Sequence, residues 1–134
     1  MLKRVVALLL GALLFPAVAN ADCSTMPGSR ITLFSSNYDP DVLVWDSRRR
    51  LLDYVTDSYQ LAKLLLPHAL LARAGTLAIV TKCRPNEVHP KYRFAPTDAL
   101  GIRVTTGEYR GHYGWVIVDD VHVLVDHALH RQHP

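Results

Sequence analysis

Two cysteines, seven histidines and a few paired acids are the residues of this chain that could do chemistry. Cys23 and Cys83 are the only thiols, and an even count in an oxidising compartment suggests a disulfide. Such a bond closes a loop of 60 residues and stabilises the fold by ~4 kcal/mol on the chain-entropy argument. A reactive thiol or a metal pair is the alternative, although no C-x-x-C spacing is present. Five histidines follow residue 111: His112, His122, His127, His130 and His133. The last three are spaced H-x-x-H-x-x-H, so on a helix His127 and His130 could share zinc, copper or nickel. They stand at a chain end without a full ligand set, where a soluble polar tail is the simpler account. No resident metal or cofactor is therefore expected.

Other polar groups assemble less well. His68, Asp53, Asp57 and Ser58 make a triad only on paper, because no nucleophile elbow or zinc-protease motif accompanies them. Asp119 and Asp120 are neighbours, and on a strand neighbours face opposite ways. Arg48, Arg49 and Arg50 are contiguous, so they share no single helix or strand face and form no phosphate clamp. A solvated turn paired with Asp46 and Asp53 suits them better. These readings leave no catalytic set.

The elements that must position these residues begin with an export signal. Lys3 and Arg4, the apolar run from Val5 to Phe15, and Ala19-Asn20-Ala21 form the three parts of a secretory signal peptide over 1–21. The apolar run is too short to span a bilayer, and no later run reaches spanning length. Asp22 before Cys23 disfavours a lipid-anchored product, so a periplasmic or secreted chain without a membrane anchor is expected. Of 15 basic residues, loss of Lys3 and Arg4 leaves 13 against 12 acidic, a net charge of +1. That balance argues against a nucleic-acid partner.

Residues 22–134 suit one domain: an N-terminal extension over 22–74, a barrel over 75–123 and a histidine-containing tail over 124–134. Arg30 to Phe34, Val42 to Trp45 and Leu51 to Val55 have strand character. Asp57 and Gln60 carry capping-box spacing ahead of one short helix, Ser58 to Leu66, ended by Pro67. Gly75 to Cys83 returns to strand composition, and Arg84 to Asp98, with three prolines, is expected to be a long loop. Ile102 to Thr106 alternates, Gly107, Gly111 and Gly114 bend the chain, and Trp115 to Val118 is apolar and β-prone. Val121 to Val123 resumes alternation. The chain is expected to be mainly β.

Gly111, Gly114, Trp115, Val116 and Val121, preceded by the strand from Ile102, resemble the closing half of bacterial Src-homology-3-like (SH3-like) domains. The resemblance covers Gly75 to Val123. It implies a small SH3-like barrel acting as a non-catalytic binding or accessory module, with cell-wall peptide or an envelope protein as partner. Grooves in such barrels are lined by aromatic side chains, which makes Tyr92, Phe94, Tyr109 and Tyr113 the candidates here. Trp115 joins them, although its apolar strand also gives it the place of a core residue. A periplasmic enzyme inhibitor or immunity protein suits the same size and cysteine pair, its contact loop lying near Arg84 to Arg93. Metal carriage by the histidine tail is the third reading.

Overall fold

The computed structural model describes residues 23–56, 59–90 and 95–125. The expected signal peptide, Tyr92, Phe94 and the histidines after Val125 lie outside the described residues. Seven antiparallel strands form one sheet in the order β3-β2-β6-β5-β4-β1-β7, curled into a half-barrel. In chain order they are β1 (Arg30–Leu33), β2 (Asp41–Trp45), β3 (Ala69–Arg73), β4 (Leu77–Val88), β5 (Thr97–Val104), β6 (Tyr113–Ile117) and β7 (Val121–Val123). Two short helices, α1 (Arg48–Thr56) and α2 (Tyr59–Leu65), connect β2 to β3.

Period-two patterning separates the two faces. Ile31, Leu33, Val42, Val44, Val80, Leu100, Ile102, Val104 and Val116 pack together inside the curl and are almost fully buried. The opposite face gathers a smaller cluster around Trp45, Leu51, Val88 and Ala99, which α1 covers. The sheet does not divide at residue 75. β2 pairs with β6, and β1 lies between β4 and β7. Ile31, Leu33, Val42 and Val44 supply inward side chains to the same core as β4, β5 and β6, which explains why the early strands belong to it.

Three local expectations change. Leu51 to Val55 is helical, because Ser47 caps the chain through its hydroxyl oxygen, which accepts from the Arg50 amide at 3.2 Å. Leu51, Leu52, Tyr54 and Val55 then turn towards the cluster at Trp45. The arginine triplet is the first turn of that helix rather than a free turn. Three cations at a helix N-terminus oppose its dipole, and the buried leucine face offsets that cost. Arg50 pairs with Asp46 at 2.8 Å, as expected, while Arg48 reaches Glu87 on β4 at 2.6 Å. Among the described residues there are therefore two short α-helices where one was expected.

The segment after Cys83 is the third change. β4 continues to Val88 and β5 starts at Thr97, so much of the expected loop is strand. Register shifts between Val80 and Lys82, and between Arg84 and Val88, absorb the residues that do not fit a regular ladder. Pro85 falls in the second shift, where a missing amide is tolerated. Asn86 there has a φ of 56°, and its amide donates to Asp98 Oδ1 at 3.0 Å. The bent hairpin between β5 and β6 forms as expected, with positive φ at Gly107 and Gly111.

Cys23 and Cys83 form a disulfide with their Cα atoms 6.3 Å apart. It ties the first described residue to β4. Gly28 N–H donating to Val80 O at 2.7 Å, and Val80 N–H to Ser29 O at 2.9 Å, continue the attachment.

Candidate functional site

Two hollows lie near the end of β2, the first reaching Asp46 and the second lined by Trp45. The first is a groove of about 120 Å³ on the outer face of β4, β5 and β6. Tyr113 and Trp115 are two residues apart on β6, so they face the same side. Gly101 on β5 lies opposite Trp115, and no side chain rises from the floor between them. The bulge in β4 sets Thr81 and Lys82 together against that same glycine. A Cβ on Gly101 would stand 3.3 Å from Lys82 Cβ and Thr81 Oγ1, and 3.4 Å from Trp115 Cζ2. Asp46 closes the groove and is occupied by Arg50 at 2.8 Å and by His68 Nδ1 at 3.3 Å.

Of the five aromatic candidates, the structure brings Tyr113 and Trp115 together. Tyr113 is 67% exposed. Trp115 is half-buried, packing on the Trp45 cluster while also lining the groove. Tyr109 is elsewhere. It packs against the interior core, and its ring meets His112 edge-on at 5.7 Å. It lines a separate small hollow with Leu71, Arg73 and Thr106.

The second hollow, of about 160 Å³, lies between the loop joining β1 to β2, helix α1 and the end of β6. Leu43, Trp45, Leu51, Tyr54, Val55 and Ile117 form its apolar wall. Trp45 and Tyr54 lie with ring centroids 4.7 Å apart. Asp39, Asp41 and Asp120 line it as well. Asp120 Oδ1 accepts from the Ser36 amide at 3.2 Å and the Ser36 hydroxyl at 3.1 Å, bonds that hold the loop in place. Burial pushes the Asp120 carboxyl above its ordinary value, the Ser36 hydrogen bonds pull it down, and Asp119 and Asp39 push it up further.

Sequence reasoning set Asp119 and Asp120 aside as strand neighbours. They instead occupy a 3-10 turn, Val118–Asp120, from which Asp119 meets Thr97 Oγ1 at 3.3 Å and Asp120 turns to Ser36. The turn-rich S-S-N-Y-D-P-D loop, read beside D-D, was the available signal for this cleft.

Among the described residues, the histidines lie apart from one another. His112 Nδ1 lies 3.0 Å from Tyr109 O, whereas the His122 ring stacks edge-on to Phe34 with centroids 3.6 Å apart. Cys23, Cys83 and Asp98 bring ligand atoms within 4.8 Å of one another, but the two sulfurs are bonded to each other. Comparison with protein-family models, curated proteins and solved structures finds no match.

Proposed function

We propose that this chain is a non-catalytic binding or accessory module of SH3-like kind, acting in the periplasm or outside the cell. Its ligand is cell-wall peptide or an extended segment of an envelope protein, held against Tyr113 and Trp115. The observation that carries the reading is the pair of aromatic rings on one side of β6 above a floor left open at Gly101. Such a surface gives flat apolar contact at low entropic cost, while Thr81 and Lys82 supply polar contacts at its margin. The Cys23–Cys83 disulfide supports an oxidising compartment. Among the described residues no helix is long and apolar enough to cross a membrane.

Co-sedimentation of the oxidised protein, residues 22–134, with purified peptidoglycan tests the reading. Pelleting by the parent and its loss in Tyr113→Ala place wall recognition at the groove. Equal pelleting by both removes the groove from the account. Absence of pelleting by either shifts the ligand to an envelope protein, to be sought by pull-down on the same two proteins.

A further inference from the structure

We infer that the partner of the Tyr113–Trp115 groove is an extended peptide segment carrying carboxylate side chains, which pair with cations on the same face of the sheet. The inference rests on the groove reading and names the charge of what the groove holds. Residues directly opposite one another on neighbouring strands present their side chains to one face. Arg30 on β1 is opposite Ile79 on β4, Ile79 is opposite Arg103 on β5, and Arg103 is opposite Tyr113 on β6. The next row along the sheet holds Lys82, Gly101 and Trp115. Arg30, Lys82 and Arg103 therefore share the face of the two aromatic rings. Arg103 stands beside Tyr113, and Lys82 stands across the bare floor of Gly101 from Trp115. Two strand separations put Arg30 and Arg103 roughly 10 Å apart, within side-chain reach of carboxylates about 7 Å apart at alternate positions of an extended segment.

Charge complementarity identifies the occupant. Among the described residues none of these three cations forms an ion pair. The acids of the neighbouring elements are held elsewhere. Asp46, at the end of the groove, is taken by Arg50 and His68. Glu87, far along β4, meets Arg48, and Asp98, near the start of β5, accepts from the Asn86 amide. Glu108, in the hairpin, lines the separate hollow with Arg73. β1 and β6 contain no acidic residue. The face is thus cationic although residues 22–134 carry a net charge of only +1. A neutral or basic segment lying on the two rings would strip water from Arg103 and Lys82 without replacing it, whereas a carboxylate supplies charge-assisted hydrogen bonds. Nucleic acid is also anionic, but it calls for a larger basic excess than this chain has.

The test is an NMR titration of the oxidised protein, residues 22–134, with two capped peptides, Ala-Glu-Ala-Glu-Ala and Ala-Gln-Ala-Gln-Ala, and with a short oligothymidylate. The expected result is a saturable shift of the Trp115 indole and the Gly101 and Tyr113 amides with the glutamate peptide. The glutamine peptide should bind at least tenfold more weakly, and added salt should weaken the glutamate peptide towards it. Lys82→Gln and Arg103→Gln alter side chains that are exposed and half-buried, so both proteins should fold. Each is expected to weaken the glutamate peptide a few-fold, and the double variant at least tenfold. Equal affinity for the two peptides, no shift with either, unchanged affinity in the double variant, or tighter binding of the oligothymidylate would overturn the inference. Tyr113→Ala tells its failure from that of the groove reading. Equal peptide affinities that are both lost in Tyr113→Ala would leave the groove standing without its charge preference. Preference for glutamate that Tyr113→Ala leaves intact would remove the aromatic groove and keep the acidic partner.

Discussion

The groove at Tyr113 and the cleft at Asp120 share a border at the end of β2 but are built by different means. Three adjacent strands make the groove, and the main chain sets its floor at Gly101 and Gly114. The cleft depends on a loop held against a turn 84 residues away in sequence by side-chain hydrogen bonds. One hollow is as rigid as the sheet. The other is as firm as the Ser36–Asp120 contact. The difference teaches where binding can be lost without unfolding, and where it cannot.

Gly114→Ala should have the largest effect and should damage both hollows at once. An added Cβ would press on Val44 Cγ1 and stand 2.9 Å from Trp45 O, where the backbone cannot move aside cheaply. Overpacking of this kind costs about 3 kcal/mol, a fall of roughly 10 °C in Tm on calorimetry. A Tm within a degree of the parent would mean that β2 is free to shift away from β6.

Gly101→Ala sharpens the comparison, because this glycine faces the groove rather than the core. Its Cβ contacts of 3.3–3.4 Å ask neighbours to yield by a few tenths of an ångström. Stability should change by no more than about 1 kcal/mol, while the raised floor should abolish peptidoglycan pelleting. Retained pelleting would place the ligand off the Gly101 floor.

These two glycines also mark what could be seen in the sequence. Alternation in Ile102 to Val104 and the Gly107–Gly114 bend were legible because they are local, and the mainly β fold followed from them. The cysteine pair, 60 residues apart, was legible for a different reason, being a matter of count and compartment. Sheet order was not. The place of β1 between β4 and β7 depends on Ile31 and Leu33 meeting residues about fifty to ninety positions away. Leu51 to Val55 misled because a short apolar run suits strand and helix equally, and the Ser47 cap settled it. Of the candidate site, Tyr113 and Trp115 were named through the resemblance to SH3-like grooves, and their common face shows only because the strand reaches back to Tyr113. Asp120 was missed because its role exists only once the loop at Ser36 is brought to it.

Ser36→Ala tests the loop side of the comparison with a smaller effect. It removes the hydroxyl bond to Asp120 and leaves the amide bond, a loss of about 0.5–1 kcal/mol by urea denaturation. Peptidoglycan pelleting should stay unchanged. Loss of pelleting as well would mean that the two hollows are coupled.

The smallest change expected is in the pH dependence of stability, and its sign is fixed by Asp120. Burial raises the carboxyl above its ordinary value of 3.8, so folding disfavours its charged form. The stability tied to this group is fully present below that ordinary value and is lost as pH rises through the raised one. Asp120→Asn carries no charge to desolvate, and it should therefore be the more stable protein near pH 7. The gap should close as both proteins are acidified towards pH 4 in parallel urea titrations. A gap that stays constant or widens on acidification would show that the Ser36 hydrogen bonds outweigh burial.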